Sequence, residues 1–231
     1  MSNYLLTALI SIPEEAGYYF PNRHFEYICG KSLYNLMIDK LEAIPQVDKI
    51  IVNTDSGRIK SNYSRPGKVK VINVYQPEPQ ETELELTSDR ATAALLGHAE
   101  GEHFLQLGPI FPFLRQQTID RVIENYDRYV ISAEDRRHDS VFTIKTLNRR
   151  YYDSDTDFIR EDRPNTFVED GILHVFNRRA FLEGGNRKVG KNPYAHGIDD
   201  IENLAIDSEE NYELAVLIDK NRRRFPRVFD R

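Results

Sequence analysis

The residue types most suited to ligand chemistry lie in four polar segments, each of which follows a predicted strand or precedes a predicted helix. They are residues 13–31, 53–57, 107–115 and the segment around Asp207. In an open parallel sheet, ligands bind beyond the carboxyl ends of the strands. A ligand site is therefore expected in these segments.

Four side chains in these segments could contact a ligand, and three of them have a plainer alternative. Lys31 precedes the first long predicted helix, where a phosphate could approach the helix N-terminus, or it is a surface lysine. Asp55 ends a predicted buried strand, or it closes the turn that follows. Gln106 and Arg115 flank a loop rich in proline, and Arg115 alternatively starts a helix at the surface.

Apolar runs and helical periodicities predict an α/β architecture around these segments. The run at 4–12 is continuously apolar, which is typical of a strand buried on both faces of a parallel sheet. Further strands are predicted at 49–52, 69–75, 103–107, 140–145 and 171–177, and helices at 32–43, 87–99, 117–125, 179–182 and 211–219. Strands that alternate with helices imply a largely parallel three-layer sheet, and the length fits one domain.

The composition is that of a globular protein without a broad affinity for polyanions. Hydrophobic residues make up 40% and charged residues 29% of the 231 residues, and the formal net charge is -6. Such a chain is not drawn to nucleic acid or to an anionic membrane, so an anionic ligand needs a local positive site. The one cysteine cannot form an internal disulfide, and no signal peptide or membrane-spanning run is predicted. We therefore expect a cytoplasmic protein.

Four short motifs carry a resemblance to a known family. They are GKSL at 30–33, TDS at 54–56, PFL at 112–114 and IDSEE at 206–210. Each is weak alone, but their order and spacing resemble the acylneuraminate cytidylyltransferases (CMP-sialic acid synthetases), and more distantly the Kdo cytidylyltransferases. The resemblance extends from about Leu5 to about Ile218.

This resemblance implies a fold, a reaction and an assembly. The fold is a three-layer α/β/α nucleotide-diphospho-sugar transferase (Rossmann-like) fold with a mainly parallel sheet, here a single domain over residues 1–231. The reaction moves CMP from CTP to a nonulosonic (sialic-acid-like) or related 3-deoxy-2-keto sugar acid, releases pyrophosphate and uses Mg²⁺. The segment 148–199 resembles the family's dimerisation excursion, which implies a homodimer with composite active sites.

The resemblance also implies roles for individual residues. Such a reaction depends on positioning and on neutralising the triphosphate, with a carboxylate to hold magnesium. Lys31 and Asp207 match catalytic positions, and Asp207 also matches the metal ligand. The positions implied to bind the nucleotide are Ile12, Pro13, Gly17, Arg23, Asp55, Gln106 and Arg115. Cys29 and His174 are expected only to pack.

The first loop departs from the family pattern. In the family, a phosphate loop with glycine, arginine and lysine follows an Ile-Pro pair, whereas Glu14 and Glu15 follow that pair in this chain. Two carboxylates near a triphosphate would repel it, by about 1 kcal/mol per close pair in water. Arg23 and His24 are candidates to compensate. Alternatively, both glutamates point to solvent and Arg23 makes a surface pair.

Two further positions depart from the pattern. The family has two aspartates one residue apart, which face the same side of a strand, but this chain has Ala205 and Asp207. One carboxylate can still hold magnesium with phosphates and water, or Asp207 merely caps the last helix. The family also places an arginine for the sugar carboxylate near Val168. Arg160 and Arg163 could replace that arginine, or they pair with neighbouring acids.

Three functions therefore remain open. The retained motifs favour the enzyme, with CTP and a sugar acid as substrates. The altered positions favour a catalytically impaired homologue that acts as a binding or partner subunit, or a nucleotidyltransferase with a different acceptor. Nucleotide-induced stabilisation and pyrophosphate release would separate these functions.

Overall fold

A seven-stranded sheet lies at the centre of the part of the protein that the structure describes. In this computed structural model, those residues are 4–15, 20–64, 67–74, 88–135, 137–146, 151–152, 159–160 and 167–224. The strands are β1 (Leu6–Ser11), β2 (Tyr27–Ile28), β3 (Lys31–Ser32), β4 (Val47–Asn53), β5 (Val69–Ile72), β6 (His103–Leu107), β7 (Ser140–Thr146), β8 (Tyr151–Tyr152), β9 (Ile159–Arg160), β10 (Phe167–Asn177) and β11 (Pro193–Gly197). The large sheet has the order β5-β4-β1-β6-β10-β7-β11, while β2 pairs with β3 and β8 with β9.

The direction of the strands decides where the loops gather. Strands β5, β4, β1 and β6 are mutually parallel, β10 is antiparallel to both β6 and β7, and β11 is parallel to β7. The carboxyl ends of six strands and the amino end of β10 therefore lie at one edge, which we call the carboxyl edge. The expected mainly parallel sheet is confirmed.

Helices cover both faces of this sheet. They are α1 (Leu33–Glu42), α2 (Gly57–Asn62), α3 (Asp89–Leu96), α4 (Gln116–Tyr126), α5 (Arg178–Glu183) and α6 (Glu209–Asn221). One core cluster contains Met37, Ile119 and Ala215 from α1, α4 and α6. A second contains Leu95 and Phe181 from α3 and α5. The expected three-layer arrangement is confirmed.

Strand β1 shows why a continuous apolar run folds in this way. All six of its residues are buried. Leu6, Ala8 and Ile10 belong to the first core cluster, whereas Leu9 belongs to the second. Because successive side chains point to opposite faces, a strand covered by helices on both sides must be apolar throughout.

A tight hairpin precedes α1. Strands β2 and β3 are joined by Cys29 and Gly30, whose φ angles are 56° and 77°. A two-residue turn with positive φ at both positions is the type I′ turn, whose twist matches that of the paired strands. Lys31 therefore lies on β3, and α1 begins at Leu33 rather than directly after the Gly-Lys turn.

The sequence predicted the long elements but not all of them. Helix α2, the hairpin β2–β3 and strand β11 were not predicted. In the segment 148–199, residues Phe167–Asn177 and Pro193–Gly197 are strands of the main sheet. The proposed dimer contact there stays a prediction. Among the described helices, none is both long and apolar enough to cross a membrane.

Candidate nucleotide site at the carboxyl edge

Three of the four segments singled out above follow parallel neighbouring strands. They come after β1, β4 and β6, so they meet at the carboxyl edge, as expected. The first two are bonded to each other, because the Glu14 N–H donates to the Asp55 carboxylate over 2.7 Å. Ile12 continues the ladder with a 2.8 Å hydrogen bond from its N–H to the Asn53 carbonyl. Pro13 beside it is buried.

Glu14 forms an ion pair at this edge. Its Oε1 accepts hydrogen bonds from Arg58 Nε at 3.0 Å and Nη2 at 2.6 Å. The same guanidinium lies 3.7 Å from the centre of the Phe25 ring. Burial raises the pKa of Glu14, but hydrogen bonds from Ser56 and Arg58 outweigh it and hold the pKa below its usual value. Arg58 thus places a positive charge where the first loop carries glutamates.

Sequence reasoning missed Arg58 because nothing local marks it. It lies on α2, a six-residue helix that begins with Gly57 and is capped by Ser56, whose Oγ accepts from the Ile59 N–H at 3.3 Å. Glu15 is exposed beside this pair. Gly17 lies outside the described residues, so its role stays a prediction.

Arg23 is buried rather than part of a surface pair. Its side chain is 1% exposed, and Nη1 donates to the Phe20 carbonyl at 3.4 Å. Burial lowers the pKa of Arg23 to about 10, and the charge of Asp207 opposes that change. Arg23 therefore remains charged at neutral pH and connects the first loop electrostatically with the segment around Asp207.

Asp207 is exposed and lies beside the third loop. The Ile206 N–H donates to the Ile110 carbonyl at 2.9 Å, which joins the two segments. Asp207 Oδ1 accepts from Asn211 Nδ2 at 2.7 Å. The cap of α6 is Ser208, whose Oγ accepts from the Asn211 N–H at 3.2 Å, so Asp207 is not needed as the cap.

Among the described residues of this site, a single carboxylate, that of Asp207, would bind magnesium directly. The described residues contain no group of three or more histidine, cysteine, aspartate or glutamate side chains that could hold an ion. Ala205 packs partly buried against the core and offers no ligand atom. Magnesium keeps several waters and binds substrate phosphates, so the exposed Asp207 carboxylate suits an ion completed by a triphosphate.

Lys31 and Gln106 have partners within the protein. Lys31 forms an ion pair with Asp39 of α1, and both side chains are exposed. Gln106 is buried, and its Oε1 accepts from the Thr92 hydroxyl at 2.8 Å, which ties β6 to α3. A role for either residue in binding or catalysis stays a prediction.

Arg115 joins the third loop to the loop after β11. Its Nη2 lies 2.7 Å from Glu202 Oε2 and also pairs with Asp199, while its backbone N–H donates to Glu202 Oε1 at 2.8 Å. The hydrogen bond to Glu202 raises the pKa of Arg115. An anionic ligand would have to compete with these two carboxylates for the guanidinium.

A half-buried carboxyl group at the same edge was not predicted as a site residue. Asp170 accepts hydrogen bonds from Thr143 Oγ1 at 2.6 Å, the Ile172 N–H at 3.0 Å and Asn203 Nδ2 at 3.2 Å. Burial raises its pKa from 3.8 to about 6, although the bonds from Thr143 and Ile172 oppose this. The only sequence signal was the Glu-Asp-Gly turn, which by itself indicates no buried group.

The third loop packs against β10, next to Asp170, at Gly108. The Gly108 N–H donates to the Ile172 carbonyl at 2.7 Å. A Cβ at Gly108 would lie 2.9 Å from the Gly171 carbonyl oxygen and 2.8 Å from the Phe111 ring. Only glycine therefore lets the loop after β6 pack this closely against β10.

His174 and Cys29 pack, as expected, but each also has a polar partner. His174 is buried and hydrogen-bonded to Glu169 Oε1 at 2.8 Å. Burial lowers the pKa of His174 to about 4, and the His174 bond lowers the pKa of Glu169 to about 2. The Cys29 N–H donates to Asp219 Oδ2 at 3.0 Å.

Solved structures of other proteins share this architecture. A 4-diphosphocytidyl-2C-methyl-D-erythritol synthase from Anaerococcus prevotii superimposes with a TM-score of 0.65 and 14% identity over 93% of this chain and 95% of that one. A CMP:2-keto-3-deoxy-manno-octonic acid synthetase in complex with CTP gives 0.64 and 9% over 95% of this chain and 100% of the other. The chain has the fold of these cytidylyltransferases.

A third structure supports the same assignment of the fold. Another 4-diphosphocytidyl-2C-methyl-D-erythritol synthase gives a TM-score of 0.63 and 17% identity over 94% of this chain and 99% of that one. No family model matches the sequence, and no curated protein is significantly similar to it. The nucleotidyltransferase fold implied by the resemblance of the motifs is confirmed, and the reaction is taken up below.

Proposed function

We propose that this protein is a cytidylyltransferase that moves CMP from CTP to a nonulosonic or related 3-deoxy-2-keto sugar acid. The observation that carries the proposal is the meeting of three loops and Asp207 at the carboxyl edge of this sheet. Ligands of open parallel sheets bind at that edge. The fold is shared with a synthetase that was solved in complex with CTP.

In this reaction the protein mainly positions the substrates and neutralises the charge of the triphosphate. An anomeric hydroxyl oxygen attacks the α-phosphorus of CTP, the bond from that phosphorus to the bridging oxygen breaks, and pyrophosphate leaves while the hydroxyl proton passes to solvent. Lys31, Arg23 and Arg58 are the cations of the first loop and its neighbours that would offset the triphosphate charge. Asp207 would hold Mg²⁺, which when bound neutralises the phosphates and orients the leaving group.

The glutamates of the first loop would weaken the binding of CTP, and this effect can be tested. Glu15→Arg exchanges a repulsion for an attraction near the triphosphate, and we expect a gain of about 1 kcal/mol, a several-fold tighter Kd for CTP. Asp207→Asn should weaken magnesium-dependent binding. Both effects are measured by calorimetric titration of CTP in the presence of magnesium.

Matched variants separate local from general effects of charge. Glu42→Arg makes the same change of charge at the exposed end of α1, and Asp48→Asn removes an exposed carboxylate at the start of β4. Both lie away from the carboxyl edge, so both should bind CTP as the wild type does. If Glu15→Arg and Glu42→Arg behave alike, the first loop does not face the phosphates.

Turnover is the decisive observation for the reaction. Pyrophosphate release should be measured with each of the four nucleoside triphosphates against a panel of sugar acids. We expect release with CTP and a 3-deoxy-2-keto sugar acid only. Release with another acceptor would instead support a nucleotidyltransferase of different specificity.

A second candidate is a catalytically impaired homologue that binds a nucleotide or a partner. Ala205 offers no second metal ligand, and Arg115 is held by two carboxylates, which favours this reading. A raised Tm with CTP but no pyrophosphate release under any condition would support it.

We also propose a homodimer whose interface is built mainly from residues 148–199. The support is the charge of this segment and the length of its first part, residues 147–166, which connects β7 with β10, since connections between strands are usually short. Light scattering at micromolar concentration should give twice the mass of the chain. A monomer at that concentration would contradict the proposal.

A further inference from the structure

A cavity of about 460 Å³ lies in the helical layer beside α1 and the start of α4. It is bounded by Cys29 of the hairpin turn and by Arg222 after α6. Cavities that bind small molecules span roughly 300 to 1,000 Å³, so this one could hold a metabolite. Of the described residues proposed for the CTP site, Arg115 alone lines it.

The charged residues that line this cavity all have the same sign. Lys40, Arg115 and Arg222 line it, and its described lining contains no aspartate or glutamate. Arg115 already pairs with Asp199 and Glu202, so its charge is compensated within the protein. Lys40 forms no ion pair with a described residue, and such a cation attracts an anion.

Lys40 is the part of the lining whose environment points most clearly to a ligand. It is half-buried, and burial lowers the pKa of its ammonium. Within the described residues its Nζ makes one hydrogen bond, to the Leu114 carbonyl at 2.8 Å, although an ammonium has three donors. A partly buried cation is stabilised by an opposite charge, which no described residue supplies within ion-pair distance.

The carboxylates near this cavity have other partners than Lys40, and one of them, Asp219, accepts from the Cys29 N–H at 3.0 Å. Glu202 and Asp39 act on Lys40 electrostatically. However, Glu202 is 2.7 Å from Arg115 Nη2, and Asp39 pairs with Lys31. An external anion can therefore approach Lys40 without displacing a carboxylate from it.

The rest of the lining offers backbone amides for the charged end of an organic anion and apolar side chains for its other end. Gln116 and Gln117 begin the 11-residue helix α4, and the Glu202 carboxylate already accepts from the Arg115 N–H at its N-cap. Amides in the first turn of a helix have no partner within the helix and favour negative charge. Leu36, Pro112 and Phe113 provide an apolar wall.

We propose that this cavity binds a small organic phosphate, with the phosphate group beside Lys40, Arg222 and the first turn of α4. The apolar wall would contact the organic part of the molecule. Because Arg115 lines the cavity and also holds Asp199 and Glu202, the ligand would compete with these carboxylates for the guanidinium. Occupation of the cavity would thereby act on the loop that reaches the carboxyl edge. The proposal does not depend on the reaction proposed above.

Cys29 allows a direct test, because it lines the cavity and is the one cysteine of the chain. Burial and the neighbouring Asp219 raise the pKa of its thiol to about 11, so alkylation is slow. It should be followed with excess reagent near pH 8, because a higher pH would remove the charge of Lys40, whose pKa is lowered by burial. The rate is measured while inorganic phosphate or phenyl phosphate is titrated at constant ionic strength without magnesium. We expect saturable protection by both, with phenyl phosphate acting at lower concentration.

Variants decide whether protection comes from this cavity. Lys40→Met should weaken the protecting affinity about tenfold, whereas Lys49→Met, which removes an exposed lysine that pairs with Glu100, should leave it unchanged. Arg222→Gln, at an exposed position, gives a second test should Lys40→Met fail to fold. For each variant, rates with and without phosphate are compared.

Three results would overturn the proposal. The first is alkylation of Cys29 at the same rate with and without phosphate. The second is equal protection in wild type, Lys40→Met and Arg222→Gln. The third is equal protection by inorganic and phenyl phosphate, which would show that the apolar wall has no part in binding.

Discussion

The carboxylate side chains of the two halves of the carboxyl edge lie in different environments. Beside β1 and β4, Glu14 is 32% exposed at its side chain and pairs with Arg58, which is 60% exposed. Beside β10 and β11, the Glu202 side chain is 3% exposed, and Asp170 is held by three hydrogen bonds. The Glu14–Arg58 pair of the first half is in contact with water, whereas the second half also contains carboxyl groups that are largely shielded from water.

This difference has consequences for stability and for binding. Exposed ion pairs contribute little because water screens them, so the Glu14–Arg58 pair can open for a ligand at small cost. A buried carboxyl group that satisfies several donors is expensive to remove, because the donors then lose their partners. We therefore expect the half beside β1 and β4 to be adjustable, and the half beside β10 and β11 to be rigid.

The largest expected effect comes from Asp170→Ala. The change leaves the donors on Thr143, Ile172 and Asn203 without their acceptor, and we expect a loss of about 3 kcal/mol in the free energy of unfolding at pH 5. Urea unfolding measures it. Asp200→Ala, which removes an exposed carboxylate that pairs with Lys145, should change stability by less than about 0.5 kcal/mol.

The pH dependence of this loss follows from the raised pKa. Asp170 has a pKa of about 6 in the folded protein against 3.8 ordinarily, so its stabilising contribution is complete below 3.8 and is lost as pH rises through about 6. The cost of Asp170→Ala should therefore shrink between pH 5 and pH 8. A cost that grows over this range would show that the carboxyl group is stabilised in its charged form.

His24 belongs to the half beside β1 and β4, but it is fully buried, unlike the ion pair there. A substitution of His24 should have the next largest effect. Neither ring nitrogen of His24 has a hydrogen-bond partner among the described residues, and burial lowers its pKa to about 3. The neutral form is favoured in the folded protein, so stability is complete above the ordinary pKa of 6.5 and falls as pH drops toward 3. This one histidine should account for about 2 kcal/mol lost between pH 7 and pH 5.

The test is a pair of leucine variants in urea unfolding at both values of pH. Between pH 7 and pH 5, the free energy of unfolding of His24→Leu should fall by about 2 kcal/mol less than that of the wild type. His98→Leu, at an exposed position, should keep the dependence of the wild type. Identical profiles for His24→Leu and wild type would contradict the burial of a neutral imidazole.

The smallest effect is expected for Glu14→Gln and Arg58→Met. Removing either partner of this exposed pair should change the free energy of unfolding by less than about 1 kcal/mol. The double variant should show a coupling of about 0.5 kcal/mol that decreases in high salt. A coupling above about 2 kcal/mol would mean that both halves of the edge are rigid, which would end the distinction between them.

The sequence was informative where one segment carries its own signal. The apolar run around β1 and the order of strands and helices gave the sheet and, with it, the loops at the carboxyl edge. Strand β11 has the sequence PYAHG, which shows neither an apolar run nor an alternation. The hairpin turn at Cys29 and Gly30 lacks the Asn-Gly or Asp-Gly pair that marks type I′ turns.

The site was harder to predict because its contacts join distant segments. Arg58 and Glu14 are 44 positions apart, and Arg115 and Glu202 are 87 apart. The types of these residues are ordinary for a surface, so nothing in either segment indicates the partner. The burial of Arg23 and the partial burial of Asp170 likewise depend on packing between segments, which a single sequence does not reveal.

The reversed direction of β10 has a consequence for how such a protein can diversify. Strand β7 ends at the carboxyl edge, and β10 begins there. The connection between them therefore starts and finishes beside the ligand region, and its length can change without moving any strand of the sheet. Insertions and deletions are tolerated best in such connections. New ligand preferences can thus arise by exchange of one segment, while the parallel strands β1, β4 and β6 keep their register.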